Sequence, residues 1–234
     1  MSEAAQQFDD TSVALTAARL IGIVGYTPVL DAFPLSKRLI VELRQRLPED
    51  GSIAIENMSW GPIHIVQRFQ DIETPELKRL VLVGAASVSV KPGRVRAYRW
   101  KGGKLPEQAV QERVYEAVTG IVDIENTLVI GEYFGIWPPE CFVVEADIPA
   151  NVFGTMVMAD NEKRGDDWSL TSELGFSPRR MQAVIGEMAA ALAVDGIEAK
   201  VWLDEKVSTA LGPGATFLRP HFADGSASGN GRVQ

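Results

Sequence analysis

The chain has 234 residues, of which 46% are hydrophobic, enough to build the core of one domain and to exclude global disorder. Its formal net charge of −8 repels phosphate backbones, which excludes nucleic acid as an expected partner. The lone cysteine, Cys141, cannot form an internal disulfide, and the polar, acidic residues 1–10 lack the pattern of a secretory signal. The longest apolar stretch, 80–90, is too short to cross a bilayer, so we expect a cytoplasmic protein with no membrane partner.

Strands and helices are predicted to alternate along the first half of the chain. Residues 1–17 are predicted to form a flexible leader, and a helix is predicted over 34–47, where leucines recur every four residues. A second helix is predicted over 60–69, with Pro62 in its first turn. Strands are predicted at 19–25, 52–56, 79–84 and 95–100. The alternating pattern of the last of these is typical of a strand at the edge of a sheet.

The second half continues the alternation and ends in a different composition. Helical residues are predicted over 108–133, in two pieces broken near Gly120, and the segment 151–169 is polar and irregular. The other predicted elements are a strand at 141–145, a helix at 178–194, and a strand or extended segment at 197–203. Glycine, proline, serine and asparagine dominate 212–234, which predicts a disordered tail.

This order of elements predicts an α/β fold. Strands that alternate with helices form parallel βαβ units with helices on both faces of the sheet. We therefore expect a single three-layer α/β/α domain over 18–211, with a mostly parallel, twisted sheet of five or six strands. In such folds the functional site lies at the carboxyl ends of the strands. The segments selected by that rule are 25–31, 56–60, 84–89 and 145–147.

Several catalytic patterns are missing from the sequence. After the first strand only Gly22 and Gly25 occur, which is not the G-x-G-x-x-G loop of a dinucleotide site. There is no G-x-S-x-G serine elbow, and the histidines, His64 and His221, cannot form an H-E-x-x-H zinc site. Cys141 begins an apolar strand, which is typical of a core cysteine rather than a nucleophile. No catalytic residue is predicted.

Carboxylates remain as candidates at the carboxyl ends of the strands. Asp31 is interpreted either as a helix cap or as a metal ligand or site acid. Glu56 ends the second strand beside Asn57, and Glu145 and Asp147 end the fifth. Four acids on one rim could hold a cation, although solvated loop acids are the commoner outcome.

Six short motifs, in order over about residues 19–195, resemble those of the hydrogenase maturation endopeptidases, which have a phosphorylase/hydrolase-like fold. These proteases trim the C-terminal tail of a [NiFe]-hydrogenase large subunit after nickel insertion. Gly22-Ile-Val-Gly-Tyr-Thr-Pro-Val-Leu-Asp31 is similar to the opening G-x-G-N-x-L-x-x-D loop, and Glu56-Asn-Met-Ser-Trp-Gly61 takes the place of D-G-G-T-x-G. The other four motifs are Leu80-Val-Leu-Val-Gly84-Ala, Lys91-Pro-Gly-Arg-Val, Gly135-Ile-Trp-Pro-Pro-Glu-Cys-Phe-Val-Val and Leu174-Gly-Phe-Ser-Pro178.

The resemblance implies a site from which metal ligands are missing. The family holds its metal with an acid in the first loop, an aspartate after the third strand and a histidine before a later helix. Carried across by position, these fall on Asp31, Gly84 and a position near Gly120, and glycine has no side chain with which to bind a metal. The paired glycines after the acid Glu56 are replaced by Asn57 and Met58.

Two hypotheses about function follow from the resemblance. The leading one is a protease-like protein with an incomplete metal site that acts as a binding or assembly factor, in effect a chaperone, for a [NiFe]-hydrogenase-type large subunit. It expects no cofactor, and it places partner contacts at Glu56, Asn57, Trp60, Tyr26 and Trp137, with segment 151–169 as a lid or docking loop. The alternative is an active endopeptidase that recognises nickel through Asp31 and a rearranged ligand set. Whether the chain is an enzyme stays open, as does a small-molecule enzyme that uses Asp31 and Glu56.

Overall fold

The computed structural model describes residues 17–24, 35–58, 61–70, 77–86, 95–100, 102, 106–119, 124–147, 178–199 and 216–221. Its strands are β1 (Arg19–Ile23), β2 (Ile53–Asn57), β3 (Arg79–Ala86), β4 (Val95–Trp100), β5 (Glu140–Asp147) and β6 (Thr216–His221). Its helices are α1 (Leu35–Arg46), α2 (Pro62–Gln70), α3 (Glu107–Val118), α4 (Ile124–Tyr133) and α5 (Pro178–Asp195), followed by a 3-10 turn (Gly196–Glu198). These elements confirm the predicted α/β alternation.

The six strands form one sheet in the order β2-β1-β3-β5-β4-β6. Strands β2, β1, β3 and β5 run parallel, with Arg19 beside both Ile53 and Arg79, and Arg79 beside Glu140. Strand β4 is antiparallel to β5 and parallel to β6. The sheet therefore has a carboxyl edge, where β1, β2, β3 and β5 end, and an amino edge, where they begin.

Alternate residues of the strands are buried on opposite faces of the sheet, which creates three layers. On one face α1 and α5 cover residues such as Ile21, Val81 and Phe142. On the other face α2 and α4 cover Leu20, Leu82 and their neighbours. Central strands have both faces covered by helices, which explains why β3 is apolar after its first residue, Arg79.

The helices form where the sequence gives them an apolar stripe. Leu39, Leu43 and Leu47, spaced four residues apart, are all buried against the sheet. Helix α5 begins at Pro178, a residue suited to a first turn because its missing amide has no partner there. Helix α3 is peripheral, because Val110 is its one buried residue and it packs on α4.

Several boundaries differ from the sequence prediction. β4 is an interior strand and not an edge strand, because β6 pairs with its outer side. β6 lies within 212–234, where composition predicts disorder, and its backbone hydrogen bonds to β4 explain the difference. Residues 196–198 form a 3-10 turn in place of the start of the strand predicted at 197–203. The predicted break near Gly120 is confirmed, because α3 ends at Val118 and α4 begins at Ile124.

Candidate functional site at the carboxyl edge

The carboxyl edge brings together some of the residues that the sequence selects. Gly22 of β1 lies beside Glu56 of β2, and Gly84 of β3 lies beside Glu145 of β5. Asn57 ends β2 at this edge and is exposed. The predicted positions Asp31, Tyr26, Trp60, Gly120 and segment 151–169 lie outside the described residues. Their roles stay predictions from the sequence.

Glu56 is directed at a helix and already has a charged partner. Residues alternate along β2, so Glu56 shares its face with Ala54, the face that α2 covers. The Nε of Arg68 in α2 donates a hydrogen bond of 2.9 Å to Oε1 of Glu56. Only 14% of the Glu56 side chain and 19% of the Arg68 side chain are exposed. The ion pair joins α2 to β2.

Gly84 occupies the place where the family resemblance expects a metal-binding aspartate, and a side chain there would require Ile124 to move. A Cβ on Gly84 would overlap Cδ1 of Ile124 and would lie 3.2 Å from the backbone oxygen of Val24. Ile124 is the first residue of α4 and is only 2% exposed. An apolar side chain from the helix layer that covers this face of the sheet therefore fills the position.

The described residues do not supply the metal set that the resemblance implies. Among the described residues, no group of three or more histidine, cysteine, aspartate or glutamate side chains could hold a metal ion. His64 is exposed on α2, and Glu56 is bound by Arg68. No metal-dependent step is therefore assigned to the described residues of this edge.

Trp137 lies near the amino edge, because it precedes β5 and lines a pocket with Trp100 and Glu132. Just after α4, Gly135 has a positive φ of 65°. The amide of Gly135 donates a hydrogen bond to the carbonyl of Glu132, and the amide of Ile136 donates one to the carbonyl of Gly131. This Schellman turn ends the helix and reverses the direction of the chain shortly before β5 begins. The Nε1 of Trp137 donates a 2.8 Å hydrogen bond to the Leu128 carbonyl. Its ring meets Phe69 edge-on, with centroids 5.5 Å apart.

A pocket that the sequence does not predict lies at the amino edge. It has a volume of about 430 Å³, and its walls include Trp100, Glu132 and Trp137. The Nε1 of Trp100 donates a 2.8 Å hydrogen bond to Oε2 of Glu132, which lies against Gly102. The sequence indicates only two features near this pocket. They are the Lys101-Gly-Gly-Lys104 turn after β4 and the Pro138-Pro139 pair before β5.

Cys141 lies in the core, as the sequence predicts. It is 2% exposed, and burial strongly raises the pKa of its thiol because the charged thiolate cannot be solvated there. A thiol that stays protonated is a poor nucleophile. We expect iodoacetamide at pH 8 to modify Cys141 at least about 100-fold more slowly in the native protein than in urea. Equal rates, measured by intact mass, would contradict the buried placement.

Two solved structures are similar to this chain. The hydrogenase maturating endopeptidase HybD from E. coli is 16% identical, with a TM-score of 0.34 over 62% of this chain and 88% of that one. A hydrogenase 2 maturation peptidase from Thaumarchaeota archaeon SCGC_AB-539-E09 is 14% identical, with a TM-score of 0.30 over 64% of this chain and 99% of that one. Both belong to the class of protein that the sequence motifs resemble. Both TM-scores are low, so the likeness is distant and carries none of the functional argument.

No protein-family model and no curated protein matches the chain. In the part of the chain that the structure describes, no helix has both the length and the apolar character needed to span a bilayer.

Proposed function

We propose that this chain is a maturation-protease-like protein with an incomplete metal site. It acts as a cytoplasmic binding or assembly factor for a [NiFe]-hydrogenase-type large subunit, and it does not cleave that subunit. The proposal is supported by the order of the six sequence motifs on an α/β fold whose sheet is mostly parallel.

The observation that carries the proposal is the occupied space at Gly84. A metal-dependent endopeptidase of the resembled kind needs a carboxylate at this strand end, and the chain has no side chain there. Ile124 fills the space that such a side chain would take. Even with Asp31 present in the first loop, one carboxylate is a weak and unselective metal site. The chain would therefore bind its partner through protein contacts and not through a metal.

The partner surface is proposed at the carboxyl edge. Asn57 is exposed there, and the motif positions Tyr26 and Trp60 follow β1 and β2 in the sequence. Aromatic side chains are frequent anchors of protein interfaces because they bury a large area with few rotatable bonds. Glu56 has Arg68 as its partner and Trp137 lies at the other edge, so these two residues are assigned a smaller share of the binding.

A binding experiment tests this surface. The purified chain is titrated with a large subunit that retains its C-terminal tail, and the affinity is measured by biolayer interferometry. Tyr26→Ala and Trp60→Ala are expected to weaken binding by at least about 10-fold each. Tyr133→Ala is the matched control, because Tyr133 is 58% exposed at the end of α4. If the wild-type chain does not bind the subunit, or if Tyr133→Ala weakens binding as much as Tyr26→Ala, the proposal fails.

The alternative is an active endopeptidase, which the retained carboxylate of Asp31 favours. The same mixture separates the two hypotheses when it is followed by intact mass spectrometry. The binding factor leaves the mass of the large subunit unchanged. An endopeptidase would shorten the subunit by a C-terminal peptide, and Asp31→Ala would abolish that loss.

A further inference from the structure

Two glycines in the central strands lie on the sheet face that α2 and α4 cover. Gly22 and Gly84 follow Leu20 and Leu82 at the alternate positions directed to this face. A Cβ on Gly22 would overlap the Sδ of Met58, just as a Cβ on Gly84 would overlap Ile124. Each glycine therefore leaves a gap that one large apolar side chain fills.

The two filling side chains are fixed from different parts of the chain. Met58 follows β2, and its amide donates a 2.7 Å hydrogen bond to the Ile23 carbonyl, which holds it beside β1. Ile124 enters from the first turn of α4. Met58 is 0% exposed and Ile124 is 2% exposed, and both belong to the buried cluster on this face. Close packing of this kind leaves no room for an added methyl group unless a neighbour moves.

We infer that Met58 and Ile124 form an apolar plug that closes this face of the carboxyl edge over Gly22 and Gly84. The space that a side chain at position 84 would take is occupied by Ile124. A carboxylate placed at position 84 alone would therefore require Ile124 to shift. The inference concerns the packing of the chain itself and holds whichever partner the chain binds.

A double-mutant cycle in the full chain tests the plug. Gly84→Ala is expected to lower the thermal midpoint by about 5–10 °C because its methyl group overlaps Ile124. Ile124→Ala is expected to lower the midpoint by about 6–12 °C because it leaves a cavity. In the double variant the new methyl occupies the vacated space. Its midpoint should then lie within about 3 °C of the midpoint of Ile124→Ala. That value is well above the midpoint expected if the two losses simply added.

Gly61→Ala is the matched control, since no atom lies within 4 Å of a Cβ at Gly61. It should melt close to the wild type. Gly22→Ala combined with Met58→Ala repeats the cycle at the second gap and should show the same sign of coupling. If Gly84→Ala does not fold but the double variant does, the plug is supported. Additive losses, a double variant that does not fold, or a Gly84→Ala variant that melts like Gly61→Ala would each overturn the inference.

Discussion

The Gly131→Ala variant is expected to lose about 2–4 kcal/mol of unfolding free energy, although alanine is the better helix former. Gly131 lies within α4, and a Cβ there would overlap the indole ring of Trp137. The ring must move, which breaks its hydrogen bond to the Leu128 carbonyl and its edge contact with Phe69. Urea unfolding, followed by circular dichroism, measures the loss.

Gly186→Ala, in helix α5, is a control that is expected to raise the unfolding free energy instead of lowering it. Its Cβ would lie 3.4 Å from Cγ of Glu42 and 3.5 Å from Cδ1 of Leu39, which are ordinary van der Waals contacts. We expect this variant to gain about 0.5–1 kcal/mol, because alanine restricts the unfolded chain and favours a helix. If both variants were stabilised, the proposed contact between Trp137 and the α4 backbone would be contradicted.

Arg79→Ala is expected to lose about 2–3 kcal/mol of stability, because the guanidinium joins three elements at the amino edge. Its Nε donates a 2.6 Å hydrogen bond to Oε2 of Glu140, and its Nη1 donates to the carbonyls of Ala193 and Val194 at 3.0 and 2.9 Å. These carbonyls end α5, where a cation is favoured by the helix dipole. The Arg79 side chain is only 15% exposed, so solvent screens the interaction weakly.

Arg46→Ala is the control for that substitution. Arg46 pairs with Glu42 one helical turn away, and its side chain is 37% exposed. Such surface pairs contribute about 0–0.5 kcal/mol. Guanidinium chloride would screen the charges, so urea is the appropriate denaturant. Equal losses for the two variants would show that Arg79 does not hold the end of α5.

Apolar patterns in the sequence predict much of the fold. Leu39, Leu43 and Leu47 predict α1, and the apolar residues 80–84 predict the central strand β3. β6 could not be predicted in this way, because it contains Pro220, which usually argues against a strand. β6 is the outermost strand of the sheet, where a missing amide donor is tolerated. Pairing between distant segments, rather than local propensity, decides such an element.

The candidate site was predicted less completely, because side-chain direction depends on tertiary contacts. The sequence places Glu56 at a strand end but cannot reveal that Arg68, twelve residues later, faces it from α2. The position of Trp137 near the amino edge could not be predicted, because the turn at Gly135 is not readable from composition. The absence of a side chain at Gly84 was visible in the sequence, whereas the Ile124 side chain that fills the space was not.

We propose that the metal site of this chain is incomplete, and a calorimetric titration of the full chain with nickel measures this property. No saturable binding of one equivalent is expected up to about 100 μM nickel, because a single carboxylate makes a weak site. Asp31→Ala should give the same trace as the wild type. Saturable binding of one nickel ion with micromolar or tighter affinity, lost in Asp31→Ala, would contradict the claim and favour the endopeptidase.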